Sequence, residues 1–493
     1  MKYFHVTDPI KDSSLDSFFE VPWLSLNASK IAHQNLAKNT PPRESLIPIL
    51  TDYQNAIGNT DEAALKSLKK FAEKDSFCVF TGQQLGFMGG PFYTILKGLT
   101  CLKVAREQGA VPIFWLATED HDINEINHTF LLDTLGNIKQ YFAGYHSDGS
   151  FVEDLRLTFK ERKVIEQFLK DCDHIDLYPL FEKDSYCEAM ASLLAHLFKG
   201  TGLLFIEPKY LRKLAVPFFK KEIIEAKSLL ATIQTTTSKL EEMGGKKIID
   251  LKNPTNLFFK DAAGKRQKIV FHDQIFQIGK ESFSKDQILQ KISQEPERFS
   301  TNVAARTVLQ SWLFPTLAYI AGPTEFAYYR QLKDYHRAHR VSMPMIIPRL
   351  SASFITPYTN SLLEKTRIKP WENIPIHWEE WNPILGCEVK EIKQDWLEVA
   401  KQKIGPIFPN QTLTRLVDYF SSKLLKRAVK YKLKKSKIPF NALHILRNTF
   451  YPQAKKQERV YNFLGYQKAN TNIIQQINQL SITHDGHYYF YTR

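Results

Sequence analysis

Four short stretches carry residue types that could do chemistry, and each follows an apolar run. The first is Thr81-Gly82-Gln83-Gln84-Leu85-Gly86-Phe87-Met88-Gly89-Gly90-Pro91-Phe92-Tyr93-Thr94. It stands between a strand pattern and a helix pattern. Free backbone N–H groups at the helix start would favour an anion there, and glycines let backbone approach a ligand closely. A long turn needs glycine for the same backbone freedom. The second is Thr118-Glu119-Asp120-His121-Asp122-Ile123-Asn124-Glu125-Ile126-Asn127-His128. Glu119 to Asp122 place three carboxylates and a histidine at four consecutive positions, which does not suit an apolar core. They could hold an ammonium or orient hydroxyls, and His121 with Asp122 could move a proton. A solvated loop with helix-capping acids, or a structural hydrogen-bond network, is the plainer alternative. HExxH spacing is absent, and no metal is expected.

The third stretch is Ile320-Ala321-Gly322-Pro323-Thr324-Glu325-Phe326-Ala327-Tyr328-Tyr329-Arg330. Glu325 falls near a helix start, where the dipole favours an acid with or without a function. The fourth is Pro348-Arg349-Leu350-Ser351-Ala352-Ser353, in which Arg349 could clamp a carboxylate or phosphate, or be an ordinary surface arginine.

These stretches need elements to hold them. Residues 76–80 form a short apolar run of strand type, residues 93–108 carry Ile95, Leu99, Leu102 and Ala105 at helical spacing, and residues 111–117 form a second buried-type strand. Strand, helix and strand make the βαβ unit of a parallel sheet, so the fold class is α/β. Such sheets bind ligands outside the carboxyl ends of their strands, where the first two chemical stretches fall. Residues 202–206 and 345–347 read as further sheet members. Residues 215–243 read as helix, bent near Pro217, and residues 257–259 and 268–271 as a hairpin about Asp261-Ala262-Ala263-Gly264. Further on, Val389, Ile392, Trp396 and Val399, then Leu413, Val417, Phe420 and Leu424, form two heptad-like seams divided by Gly405-Pro406-Ile407-Phe408-Pro409-Asn410. They predict an antiparallel helical arm.

Composition bounds the reading. A chain of 493 residues with 43% hydrophobic content can bury a large core in more than one domain. Its five cysteines show no CxxC spacing, which fits a reducing cytosol better than a disulfide framework. No signal peptide is read at the start, and the most apolar stretch, residues 312–321, is too short for a membrane helix. The net charge of +14 favours anionic partners without choosing among them. Part of it is the basic run 423–437, whose Leu424, Leu425, Ala428, Val429 and Leu433 share one face; it reads first as a solvated helix face, with RNA, nucleotide or membrane contact as the alternatives.

Together the pieces resemble the cysteine-adding enzyme family of bacillithiol biosynthesis. The resemblance rests on Phe80-Thr81-Gly82-Gln83-Gln84 with Gly90-Pro91 and Tyr93-Thr94, and on Phe114-Trp115 with Glu119-Asp120-His121-Asp122 and Glu125-Ile126-Asn127-His128. It continues through the segment from Leu313 to Pro323 with Glu325 and Ala327-Tyr328, through Ile347-Pro348-Arg349-Leu350-Ser351, and through Gln457-Glu458-Arg459-Val460. The pieces keep family order across most of the chain. The family's Gly-Pro-Gly-Glu is here Gly322-Pro323-Thr324-Glu325, and its Ser-Pro-Asn-Val-Leu-Leu-Arg-Pro is here Ser300-Thr301-Asn302-Val303-Ala304-Ala305-Arg306-Thr307.

The resemblance implies a Rossmann-type core similar to class I aminoacyl-tRNA synthetases and nucleotidyltransferases, with inserted connecting elements and a helical coiled-coil arm. The implied organisation is a core over 1–370 with insertions about 136–195 and 250–300, an arm over 371–440, and a segment over 441–493 packing back on the core. The implied activity joins cysteine to glucosaminyl-malate as an amide, in a cytoplasmic homodimer formed through the arm. Glu119, Asp120, His121 and Asp122 become the catalytic candidates. Gln83, Gln84, Tyr93, Thr94, Asn127, Gly322, Glu325, Tyr328, Arg349 and Ser351 become the substrate-binding candidates. ATP or another nucleotide is the candidate activating cofactor, although the synthetase-type His-x-Gly-His is absent. Two other classes compete: a synthetase-like RNA- or nucleotide-binding protein without catalysis, and a small-molecule nucleotidyltransferase. Carboxylates concentrated at strand ends favour small-molecule chemistry, whereas RNA binding would want aromatics interleaved with Lys and Arg on an exposed face.

Overall fold

The computed structural model describes the chain except residues 1, 8–12, 26, 37–40, 134, 253–254, 371–388, 405–407, 436–440, 468–471, 483–485 and 493. Its centre is a five-stranded parallel sheet. The strands are β1 (Cys78–Gln83), β2 (Val111–Leu116), β3 (Leu204–Ile206), β4 (Thr316–Ala321) and β5 (Met345–Pro348), in the order β5-β4-β1-β2-β3. Every residue of β2, β3 and β4 is buried, as expected for strands covered on both faces, whose sequences read as continuous apolar runs rather than alternations. Helix α1 (Tyr93–Glu107) returns the chain from β1 to β2 and packs on β1, β2 and β4. The chain leaves β1 toward β2 on one side, while β4 pairs with its other side. The carboxyl ends of β1 and β4 therefore flank the point where strand order reverses, the usual ligand crevice of an open α/β sheet.

A second, antiparallel sheet stands beside this one. It contains the expected hairpin, Leu257–Lys260 against Arg266–His272, extended by Ile275–Ile278 and Glu281–Phe283 on one side and by Phe299–Thr301 on the other. Phe299–Thr301 leads straight into α2 (Val303–Leu313), which precedes β4, and β4 leads into α3 (Pro323–Tyr329). A third sheet joins Lys2–Thr7 and Ser351–Ile355 to the two sides of Gly486–Tyr491, so the end of the chain lies against the strand that follows β5.

The helix expected over 215–243 is two helices, Val216–Ile224 and Ala226–Glu242. Pro217 does not bend it, because it sits in the first turn, where a missing N–H leaves no bond unmade. The break is at Glu225, whose backbone leaves the helical region. In the expected arm, α4 (Val389–Ile404) and α5 (Asn410–Lys435) pack against each other. Leu413 and Val417 are buried, whereas Phe420 and Leu424 are 57% and 47% exposed, so the seam is covered only along its first part. Gly405, Pro406 and Ile407 of the proposed break lie outside the described residues, as do most side chains of the basic run. Among the described residues no helix is long and apolar enough to cross a membrane. The four described cysteines are all free thiols, and Cys387 lies outside the described residues.

Candidate active-site cleft

A cleft of about 620 Å³ opens at the carboxyl edge of the parallel sheet. β1 brings Gly82 and Gln83, with Gln84 just beyond; the loop after β2 brings Glu119, Asp120 and Glu125. The β4–α3 turn brings Gly322 and Glu325, and Arg349 follows β5. The antiparallel sheet closes one wall with Phe258, Arg266 and Thr301, and the start of α2 contributes Asn302, Val303 and Arg306.

The floor is an ionic knot. Lys97, one turn into α1 and buried, donates to the Gly82 carbonyl at 2.6 Å and to Gln83 Oε1 at 3.0 Å, and forms an ion pair with Glu325. Glu325 also accepts the Tyr319 hydroxyl at 2.6 Å and the Gly322 N–H at 2.7 Å. Burial works to raise the Glu325 carboxyl, but Lys97 and the Tyr319 hydroxyl outweigh it and hold the group below the usual glutamate range. Glu325 is thus a helix cap and an ion-pair partner at once. Gln83 donates in turn to Tyr93 at 3.1 Å, and burial pushes the Tyr93 hydroxyl up to about 12, so it stays protonated.

The acidic wall is divided by environment. Asp120 accepts Gln84 Nε2 at 2.7 Å and Arg266 Nη1 at 3.4 Å. Burial again works upward, yet Arg266 and Gln84 keep this carboxyl below its usual range. Glu119 lies deeper, accepting Thr301 Oγ1 at 2.6 Å, and burial raises it despite Arg212. Glu125 is raised by burial and by its neighbours Asp122 and Asp120. Arg266 stacks at 3.8 Å over the Phe258 ring and donates to His121 Nδ1 at 3.0 Å. The same nitrogen lies 3.3 Å from Asp120 Oδ1.

The structure sorts the residues singled out by sequence. Gln83, Gln84, Tyr93, Glu119, Asp120, Gly322, Glu325, Tyr328 and Arg349 line the cleft. His121 and Asp122 stand outside its lining, on the outer rim. Thr94 is buried beside the lining, Asn127 is buried and donates to the Tyr145 carbonyl at 3.1 Å, and Ser351 donates to Glu458 at 3.0 Å. Arg349 is already engaged: Nη2 meets Glu458 at 2.7 Å in a buried ion pair, and Nη1 donates to the Leu350 carbonyl at 2.6 Å.

The expected anion-binding loop is also engaged. The Phe92 N–H donates to the Tyr461 carbonyl at 2.8 Å, and Asn462 Nδ2 donates to the Met88 and Gly90 carbonyls at 2.8 and 3.2 Å. Residues 85–90 are buried between the C-terminal segment and the helix Tyr186–Leu197, so a nucleotide phosphate finds no open backbone cradle there, and no step through ATP follows from this loop. Sequence reading passed over Lys97, Arg266, Thr301, Asn302 and Arg306 as site residues. Lys97 and Arg306 did leave a signal. Lys97 lies on a face of α1 that is otherwise buried and uncharged, and Arg306 is the only charge in the segment from Val303 to Leu313. Arg266 left none, because a hairpin arginine is usually solvated.

Residues 8–350 match the family described as "Bacillithiol biosynthesis BshC, N-terminal Rossmann-like domain". The chain belongs to the BshC family. Among curated relatives, "Putative cysteine ligase BshC" of Bacillus cereus strain AH187 is 28% identical over 94% of this chain and 93% of its own length. The protein of the same name from Bacillus cytotoxicus is 28% identical over 90% and 89%. A crystal structure of Plasmodium falciparum tryptophanyl-tRNA synthetase matches with a TM-score of 0.24 and 9% identity, covering 86% of this chain and 97% of that one, a likeness too low to bear on the fold. In this BshC chain the Rossmann-like assignment rests on the family match and on the parallel sheet itself.

Proposed function

We propose that the chain is a carbon–nitrogen ligase that joins cysteine, through its carboxyl group, to the amine of glucosaminyl-malate. The observation that carries this reading is the polarity of the cleft: Glu119, Asp120 and Glu125 share one cavity with Arg306, Arg349 and Arg459. An aminosugar conjugate carries an ammonium, hydroxyls and carboxylates, and needs both signs in one small space. For the amide to form, the cysteine carboxyl must lose an oxygen with an activating group, and the attacking ammonium must first lose a proton. Asp120, fixed by Gln84 and Arg266, orients the ammonium. Glu125, raised above the usual range, is the cleft carboxylate best suited to take the proton. His121 supports Asp120 from the rim, and Asp122 there helps hold Glu125 raised. Gln83, Tyr93, Gly322 and Tyr328 shape the sugar and acid subsites, while Thr94, Asn127 and Ser351 hold the surrounding loops. The exposed Trp396, Val399, Phe420 and Leu424 of the arm fit a homodimer contact, and the free thiols fit a cytoplasmic setting.

The test incubates the full chain with cysteine, glucosaminyl-malate and ATP and follows the amide product by mass spectrometry, beside thiol profiles of cells with and without the gene. Product that depends on the chain is the expected result. Unchanged thiol profiles, with no product in vitro, would remove the reading.

A further inference from the structure

Four Lys or Arg residues are buried among the described residues: Lys97, Arg212, Arg306 and Arg349. Three have a carboxylate in direct contact, Lys97 with Glu325, Arg212 with Glu153 at 2.7 Å and Arg349 with Glu458 at 2.7 Å. Arg306 is only 9% exposed, lines the cleft and has no such partner among the described residues. Its Nη1 and Nη2 donate to neutral atoms, Gln310 Oε1 at 3.3 Å and the Tyr328 hydroxyl at 3.1 Å, and its Cζ lies 5.1 Å from the centre of the Tyr319 ring. Glu325 lies within reach of its charge, but the Glu325 oxygens are occupied by Lys97, Tyr319 and Gly322. A buried cation without a counter-charge is costly to keep, and the cost falls when an anion arrives.

The surroundings are built to receive one. Arg306 is one turn inside α2, whose first N–H groups have no carbonyl within the helix. Asn302 Oδ1 takes the Ala305 N–H at 2.9 Å, and the exposed Val303 leaves the start of the helix open to the cleft. Because the Tyr328 oxygen accepts from Arg306, its own proton is free for another acceptor, and burial raises this hydroxyl so that it keeps that proton.

We propose that Arg306, the Tyr328 hydroxyl and the start of α2 form a subsite for a non-reacting carboxylate of the acceptor substrate. The inference rests on the ligase reading above and deepens it. The reacting cysteine carboxyl is excluded, because a carboxylate locked on a guanidinium is stabilised against attack. The acid moiety of the acceptor supplies a carboxylate that need only be held.

Calorimetric titration of the full chain tests the subsite apart from turnover, with L-malate as the acid fragment and inorganic phosphate as the competing anion. Wild type binds L-malate, Arg306→Gln weakens it about tenfold to a hundredfold, and Arg306→Lys and Tyr328→Phe fall between. In turnover, the same variants raise the acceptor KM and leave the cysteine KM unchanged. Should Arg306→Gln fail to fold in a melting control, Tyr328→Phe and Arg306→Lys carry the comparison. Malate binding that is equal in wild type and variants, or absent from wild type at about 10 mM, overturns the proposal, as does Arg306-dependent binding of phosphate alone. Amide formation without Arg306-dependent malate binding would sink this subsite while leaving the ligase reading intact. Loss of the ligase reading would appear as no product from wild type.

Discussion

Helices α1 and α2 both begin beside the carboxyl edge of the parallel sheet, yet they place their first N–H groups in different surroundings. At α1 the preceding loop is rich in glycine, and the chain's own C-terminal segment covers it: the Tyr461 carbonyl accepts the Phe92 N–H and Asn462 Nδ2 donates to the Met88 and Gly90 carbonyls. At α2 the preceding segment has no glycine, but Asn302 and Val303 face the cleft with the unneutralised Arg306 one turn behind. Glycine marks close approach of backbone to something, and here that something is protein. A Cβ at Gly86 would lie 2.7 Å from Gly90 Cα, so the loop folds tightly on itself. Charge left without a partner is the better marker of where a ligand binds.

The contrast can be broken most forcefully at Glu458, which ties the C-terminal segment to Arg349 and covers the α1 side. Glu458→Gln leaves Arg349 buried without its counter-charge and should destabilise the fold by about 3–5 kcal/mol in denaturant unfolding. Burial works to raise the Glu458 carboxyl, but Arg349, His487 and the Ala352 N–H outweigh it and keep it low. Its folded value lies below its unfolded one, so its stabilisation is complete above the ordinary glutamate range and is lost as pH falls through the folded value. Wild type should therefore show an acid-side loss of stability that Glu458→Gln lacks. Equal slopes in the two proteins would count against this pair as the clamp.

At the acidic wall the larger expected effect is on chemistry, with a smaller loss of stability because Asp120→Ala leaves Arg266 without its paired carboxylate. Asp120→Ala should lower kcat/KM for amide formation roughly a hundredfold, while His121→Ala, on the rim, should cost roughly tenfold or less. A reversed ranking would make His121, and not Asp120, the group that meets the ammonium. Back at the α1 loop, Gly86→Ala should destabilise by about 1–3 kcal/mol through overpacking and leave the acceptor KM of the folded fraction unchanged. A raised acceptor KM with unchanged stability would return the loop to the ligand.

Much of the sheet was legible in the sequence because parallel strands covered on both faces must be apolar throughout. β1, β2, β3 and β5 fall where the short apolar runs are, and β4 closes the apolar segment before Gly322. Residues following strands were legible for the same reason: Glu119, Asp120, Glu325 and Arg349 line the cleft because strand ends do. What stayed hidden was which polar residues answer one another. Nothing local to Arg349 announces Glu458, more than a hundred residues on, and nothing in the hairpin announces that Arg266 reaches Asp120. The cleft's outer wall comes from the antiparallel sheet, whose alternating sequence says which face is buried but not what that face meets.

The smallest expected effect makes the sharpest test of the α2 start, because a distant helix provides its control. Asn302 caps α2 by accepting the Ala305 N–H at 2.9 Å, and its Nδ2 donates to Asn256 Oδ1 at 2.9 Å. Asp61 caps the helix Glu62–Ala72, away from the cleft, by accepting the Ala63 and Ala64 N–H groups at 2.9 and 3.1 Å. Removing either cap should cost about 1 kcal/mol of stability, since each leaves helix N–H groups without their side-chain acceptor. The two variants should then part company. Asp61→Ala should leave acceptor binding alone. Asn302→Ala loosens the turn that carries Val303 and Arg306, so a carboxylate held there loses the fixed geometry of its donors, and acceptor KM should rise a few-fold with cysteine KM steady. If both variants melt earlier by the same amount and neither moves the acceptor KM, the start of α2 is structural only, and Arg306 must be acting without it.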